Sequence, residues 1–331
     1  MTDGSGRRPP RWAVALAFAS IYLIWGSTYL AIRYAIETIP PMLMAGCRFV
    51  AAGGIVYLWS RARGAPRPTT RNWRAAVVIG GLLLLGGNGG VVWAEQRVPS
   101  GLAALLVATV PVWTVLLQAI WPGGQRQRPS GRLVVGLVVG IVGMGLLVAP
   151  GEVVGGARVD LAGAAVLTLA SLSWSAASIH SRAAPLPASP FLAAGMEMLA
   201  GGALLFLAGT VAGEWGRLDL GGISVRSAGA LAYLVVFGSL VGFTSFIWLL
   251  GVTSPARVAT YAYVNPVVAV LLGWALASEP LTPRTLIAAA IIVGAVALIT
   301  TAQAARRHVD AAPAPLRQPA SGGRARAEEA A

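Results

Sequence analysis

Three charged residues stand in stretches that are otherwise apolar. Arg48 lies within PPMLMAGCRFVAAGG (40–54), Glu197 within SPFLAAGMEMLAGGA (189–203), and Glu95 closes the run VVWAE (91–95). A charge held in the hydrocarbon of a bilayer costs about 2.5–3.5 kcal/mol on insertion scales, so such residues face a partner or a wet cavity. An arginine in that setting can hold an anion or act as a gating charge, and a carboxylate can pick up and release a proton. Arg48 has two candidate partners. At about 1.5 Å of rise per residue, Arg48 lies roughly 10 Å from one end of its span and Glu197 roughly 10 Å from the opposite end of its own. A gap of about 10 Å then remains across a core of about 30 Å. Glu95, at the end of the following apolar run, is the other choice. An internal ion pair that only fixes helix packing is the competing reading for Arg48 and Glu197, and a solvated helix end is the competing reading for Glu95.

Polar and aromatic companions recur in the apolar runs. Trp25, Ser27 and Thr28 lie in WGSTY (25–29), Asn88 and Trp93 flank GGVV, and Trp174 lies in SLSWSAAS. Tyr261, Tyr263 and Asn265 directly precede Pro266. Pro111 and Pro266 each remove a backbone donor and bend a helix, freeing a carbonyl that can face a cavity. Each signal alone also fits ordinary helix–helix bonding or a static kink; together they describe a polar, aromatic-lined pathway. Trp12, Trp59, Trp73, Trp121 and Trp215 fall at the ends of apolar runs and read as interfacial anchors.

Catalytic and cofactor chemistry finds no support. The glycines of Gly86–Gly90 lie inside an apolar run with no preceding strand, unlike a phosphate loop. Cys47 is the single cysteine, and His180 and His308 stand far apart, so no metal site of ordinary spacing is expected. No Ser-His-Asp or paired-carboxylate arrangement occurs. The expectation is no cofactor and no enzyme, with a non-transporting scaffold or receptor, or a membrane-embedded enzyme, as the alternatives.

The elements that must position these residues are membrane helices. Of 331 residues 56% are hydrophobic and 11% charged, with mean hydropathy +0.71. A soluble domain carries about 25% charged residues, and apolar runs of about 20 residues, enough to cross a bilayer, recur along the chain. The net charge of +13 does not indicate nucleic acid, because the arginines sit in short connectors rather than in a groove with aromatic platforms. Spans are predicted at 12–32, 41–60, 75–95, 100–121, 133–149, 161–180, 190–210, 227–249, 255–277 and 284–301. The first is a retained helix rather than a cleaved leader, since its apolar part is too long. The basic connector 61–74 and a disordered tail from Gln303 complete the chain.

The chain also repeats itself. Adding 149 carries Trp25 onto Trp174, Arg33 onto Arg182, Gly46 onto Gly195, Arg48 onto Glu197 and Gly53 onto Gly202. Adding 155 carries Trp93 onto Trp248 and Pro111 onto Pro266. Five spans per copy is an odd number, so the copies face opposite ways across the membrane. With the amino terminus inside, the inner segments gather arginines 61–74, 126–132 and 306–326 while the outer ones hold few, which places both termini in the cytoplasm. The expected organisation is an all-α integral membrane protein of ten transmembrane helices in two inverted five-helix repeats. Its parts are a tail 1–11, repeats 12–150 and 151–301, and a tail 302–331.

WGSTYLAIR (25–33), PPMLMAGCRF (40–49), NGGVVWAEQRVPSG (88–101) and TYAYVNPVVAVLLG (260–273) together resemble the EamA family of the drug/metabolite transporter superfamily. The resemblance spans about 12–301. It implies export of small metabolites, amino acids or drugs across a bacterial cytoplasmic (inner) membrane, driven by a gradient, with protons a candidate coupling ion. Trp25, Arg48, Glu95, Tyr261, Tyr263 and Asn265 match its motif positions. The family often places a carboxylate after both repeat-four helices; here Glu279 supplies it in the second copy and Gly124 stands in its place in the first.

Overall fold

In lipid every backbone N–H and C=O must be satisfied within the protein, and a continuous helix does this locally. The computed structural model describes residues 10–120, 131–148, 160–253 and 255–310. Its helices are α1 (Arg11–Ala35), α2 (Pro41–Ala62), α3 (Thr70–Ala94) and α4 (Ser100–Ile120), then α5 (Gly131–Val148). They continue with α6 (Leu161–His180), α7 (Pro190–Val211) and α8 (Val225–Val252), α9 (Tyr261–Ala277) and α10 (Pro283–Asp310). Eight are long and apolar enough to cross a bilayer, α5 and α9 are shorter apolar helices, and no strand occurs among the described residues. Large apolar side chains such as Leu58, Val211 and Ile120 stand exposed on the outside of the bundle, as a lipid-facing surface requires.

Local signals set the helix starts. Pro41 and Pro190 open α2 and α7, where proline loses no needed donor. The Asp160 carboxylate accepts from Ala162 N at 2.8 Å and Gly163 N at 3.1 Å to cap α6. At α3, Thr69 and Asn72 cap each other reciprocally, so the helix begins at Thr70, inside the segment 61–74 that composition alone reads as a connector. The carboxyl end differs too. α10 runs on to Asp310, past the predicted start of the disordered tail, and residues 311–331 lie outside the described residues, as does Gly124.

The centre of the bundle is the seam between α2 and α7, which run antiparallel on glycine. A Cβ on Gly53 would lie 2.7 Å from Met198 Cβ and 2.8 Å from Leu199 N. One on Gly202 would lie 2.8 Å from Val50 Cγ2 and 2.9 Å from Val50 N. Only glycine lets the backbones come this close.

Three helices contain wide π-type turns: Ser20–Ile24 in α1, Gly81–Gly89 in α3 and Leu234–Val241 in α8. Such turns open the i→i−4 ladder and offer carbonyls to neighbours. α4 is interrupted at Ala108–Thr109, just before Pro111. Its exposed carbonyls are taken up by α6, with Ser171 Oγ donating to Leu106 O at 3.4 Å and Ser175 Oγ to Val110 O at 3.0 Å. Pro266, by contrast, sits inside unbroken α9. The predicted span 255–277 instead breaks at Ala259–Thr260, between a one-turn helix Pro255–Val258 and α9. The two prolines therefore do not act alike.

Candidate functional site

The wide turn of α8 is where the first group of sequence-selected residues meets. Trp25 Nε1 donates to Gly238 O at 3.1 Å. Arg48 Nε donates to Ser239 Oγ at 3.0 Å, and Ser27 Oγ lies 2.7 Å from Tyr233 Oη. Gly238 is pressed between Thr28 and the Arg48 guanidinium, whose Nη2 would lie 3.2 Å from an added Cβ. Thr28 itself donates to Trp25 O at 2.6 Å. A side chain at 238 would displace either neighbour, so glycine is the residue that lets α8 carry both an indole acceptor and an arginine acceptor.

Arg48 is 7% exposed and Glu95 3%. They act on each other electrostatically, yet no ion pair joins them among the described residues. The Arg48 guanidinium uses one of its five N–H donors on Ser239 and lies 4.7 Å from the Phe49 ring centroid. Both Glu95 carboxylate oxygens are buried without a hydrogen-bond partner among the described residues. Arg33 and Arg48 attract this carboxylate and Glu279 repels it, and Tyr29 lies within electrostatic reach of both Glu95 and Tyr261. Buried polar groups are normally satisfied, so a buried carboxylate with no hydrogen-bond partner among the described residues, within electrostatic reach of a buried guanidinium, is the outstanding chemical feature of this bundle. Glu197 stands apart: its side chain makes no hydrogen bond or ion pair among the described residues, and its backbone packs against Gly80 of α3. Neither candidate partner forms an ion pair with Arg48 among the described residues, and Glu95 is the one whose charge lies within its electrostatic reach.

Aromatic rings floor the same region. Tyr261 meets Trp25 edge-on at 5.1 Å, and Phe246 lies 5.4 Å from Trp25 and 5.9 Å from Tyr261. Farther along α9, the Asn265 amide, in the orientation that suits its surroundings, donates to Ile21 O and Tyr22 O at 3.3 Å. Asn265 thus closes the wide turn of α1, and Tyr22 hydrogen bonds Thr260. Tyr263 packs beside the main apolar core.

The remaining predicted residues lie elsewhere. Trp174 of α6 packs on Gly87 in the wide turn of α3, where half-buried Asn88 also sits. The same 155 and 149 shifts relate this contact to that of Trp25 on Gly242. Trp93 carries the Arg97 guanidinium 4.8 Å above its ring, and Pro111 belongs to the α4–α6 contact. Among the described residues no cluster of three or more potential metal ligands occurs. Sequence reasoning missed Gly238, Ser239 and Tyr233; the signal available for Ser239 was a lone hydroxyl in the apolar run VVFGSLVGF (235–243).

Comparison with known proteins gives this arrangement a context. The pattern describing the EamA-like transporter family matches the chain twice, at residues 11–149 and 161–301. The chain is 39% identical over 286 residues to the uncharacterized inner membrane transporter YedA of Escherichia coli K12, covering 86% of this chain and 89% of that protein. It is 26% identical to the uncharacterized transporter sll0355 of Synechocystis, over 77% of this chain and 79% of that one. A solved crystal structure, 24% identical, shares the fold with a TM-score of 0.59 over 90% of this chain and 99% of its own. Two matches of one family pattern, and a relative aligned over most of both lengths, make this chain a membrane transporter of the EamA-like transporter family.

Proposed function

We propose that the protein is a secondary transporter that exports small organic solutes (metabolites, amino acids or drugs) by alternating access across a bacterial cytoplasmic membrane. In this reading the chain forms ten transmembrane helices in two inverted repeats, 12–150 and 151–301, with both termini in the cytoplasm. The glycine seam supports the inversion. Gly53 faces Leu199 and Gly195, Gly202 faces Val50 and Gly46, and each contact maps onto the other when 149 is added to one partner and subtracted from the other. Because α2 and α7 are antiparallel, the two-fold axis relating them runs across the helices, which is the geometry of inverted repeats around a midplane site.

The observation that carries the proposal is the unpartnered carboxylate of Glu95 within electrostatic reach of Arg48. A solute bearing a carboxylate at one end and an ammonium at the other would satisfy both, receiving N–H donors from Arg48 and giving its own to Glu95. The rings of Trp25, Phe246 and Tyr261 supply apolar cover for its body. Trp25, Ser27, Thr28, Tyr261 and Tyr263 line this pathway; Asn88, Trp93, Pro111, Trp174, Glu197, Asn265 and Pro266 shape or gate it. Glu95 is also the group placed to exchange a proton when no solute is bound.

The test is counterflow of labelled amino acids in proteoliposomes. Wild-type protein accumulates label; Arg48→Ala and Glu95→Gln each lower the rate at least tenfold, while Glu197→Gln has a smaller effect. Folded wild-type protein that moves no solute across a broad panel would favour a non-transporting scaffold. Unchanged counterflow in Arg48→Ala would remove that residue from the pathway.

A further inference from the structure

One end of the bundle is tied together by polar contacts between segments far apart in the chain. Tyr34 Oη donates to Leu276 O at 2.7 Å, Ser227 Oγ donates to Tyr34 O at 2.7 Å, and Ser224 N donates to Thr38 Oγ1 at 3.1 Å. Arg226 pairs with Glu37, and Glu214 accepts from Met42 N and Leu43 N at the start of α2. At the centre of this set is Glu279. Its Oε1 accepts from Ser100 N and Ser100 Oγ, both at 2.8 Å, and its Oε2 accepts from Gly101 N at 3.0 Å. Arg33 Nη1 lies 3.4 Å from Oε1. A carboxylate from the end of α9 therefore caps the start of α4 and holds the end of α1. Few side chains join three elements through four contacts, and this one is only 8% exposed.

Its backbone is built for the reach. Ser278 takes a left-handed conformation, φ 52°, which turns the chain back so that Glu279 N donates to Gly273 O at 3.0 Å. Gly273 and Gly101 leave the space the carboxylate occupies, since a Cβ at Gly101 would lie 3.1 Å from Val270 Cα and 3.5 Å from Glu279 Oε2.

The corresponding contact cannot form at the other end. The shift of 155 that carries Pro111 onto Pro266 carries Ser100 onto Pro255 and Gly101 onto Ala256, and takes Gly124 to Glu279. Proline has no N–H and no hydroxyl to donate, and glycine has no carboxylate to accept. The carboxylate and two of its three donors are missing from the counterpart positions.

We infer that Glu279 is a one-sided latch: its cap on α4 holds the Glu279 end of the pathway closed, and this end opens only when the carboxylate lets go of Ser100 and Gly101. The inference rests on the alternating-access reading for its purpose. Opening exposes two backbone donors, a hydroxyl and a carboxylate that water or a solute must then satisfy, whereas the Pro255 end opens without a matching cost. The chain accordingly rests with the Glu279 end shut.

The experiment reads accessibility rather than transport, so it succeeds or fails whichever solute the site takes. In a Cys47→Ser background, Val270→Cys places a thiol at a buried position of α9 beneath the latch, and Ala76→Cys places a control thiol in the separate cluster of α3 with Leu192 and Met196. A membrane-impermeant sulfonated maleimide is applied to each face separately, using spheroplasts and inverted vesicles. Adding Glu279→Gln is expected to raise labelling of Val270→Cys at least tenfold from one face and to leave Ala76→Cys unchanged. Ser100→Ala, which removes only the hydroxyl donor, is expected to give a smaller rise in the same direction and serves if Glu279→Gln does not fold. Unchanged labelling of Val270→Cys in the folded variants, or an equal rise at both thiols, would overturn the latch.

Discussion

Glu95 and Glu279 are both buried, at 3% and 8% exposed, yet neutralising Glu279 should destabilise the protein and neutralising Glu95 should not. The Glu279 carboxylate accepts three hydrogen bonds and faces Arg33. Hydrogen bonds to a charged group contribute about 1.5–3 kcal/mol each, and glutamine keeps one acceptor while turning an NH2 towards N–H donors. Allowing for the acceptor that survives, Glu279→Gln should cost about 2–4 kcal/mol. Glu95 offers no such bonds to lose. A buried charge without a partner is itself a burden of about 2.5–3.5 kcal/mol by insertion scales, part of which the attraction of Arg33 and Arg48 offsets against the repulsion of Glu279. Glu95→Gln should therefore be neutral or stabilising, by up to about 2 kcal/mol. At about 2 °C per kcal/mol for a chain of this size, the expected shifts in melting temperature are a fall of about 4–8 °C for Glu279→Gln and a change between zero and a rise of about 4 °C for Glu95→Gln. Thermal unfolding of the purified protein, followed through tryptophan fluorescence in detergent, measures both. A fall of more than about 2 °C for Glu95→Gln would refute the reasoning, because it would mean that the carboxylate has a structural partner in the folded protein. Stability gained together with transport lost is the trade-off expected of a functional charge.

Two further outcomes follow from the packing and the caps. Gly53→Leu should abolish folded protein, since its Cβ already meets Met198 Cβ and the Leu199 backbone, whereas Gly54→Leu, with nothing within 4 Å of its added Cβ, should be tolerated; monodispersity in size-exclusion chromatography separates the two. Asp160 outside the membrane is held below the ordinary carboxylate value of 3.8 by the Gly163 N–H, with Ala162 N–H and Arg97 adding to it. A depressed carboxylate contributes stability that is present above its unfolded value and is lost as pH falls through its folded value. The melting-temperature gap between wild type and Asp160→Ala should therefore hold at pH 5 and narrow as the pH drops below 3.8.

The helices were legible because apolar runs, Pro41, Pro190 and Asp160 mark them directly; the predicted span 161–180 coincides with α6. Arg48 and Glu95 were legible as charges out of place. Their surroundings were not, for a physical reason. The wide turns of α1, α3 and α8 are made from the same leucines, valines and glycines as ordinary helix, and one extra residue per turn leaves no mark in hydropathy. Since the Trp25 and Arg48 acceptors both lie in the wide turn of α8, the partners could not be read without it. Thr69 and Asn72 carry a cap signal, but the arginines around them outweighed it. Glu279 was visible only as a family carboxylate; its bond to Ser100, 179 positions away, depends on the fold.

The shortness of α9 has a consequence for the lipid around it. Seventeen residues span about 26 Å at the helical rise, less than a hydrocarbon layer of about 30 Å. The missing length is made up by the break at Ala259–Thr260 and the one-turn helix before it, whose non-helical backbone must be shielded by protein or wetted. Thr260 meets part of that need by hydrogen bonding Arg257 O and Tyr22. In the ten-span arrangement proposed above, acyl chains on this flank meet a wall with a polar joint in it, and the backbone groups there that Thr260 does not cover must be met by neighbouring helices or by water.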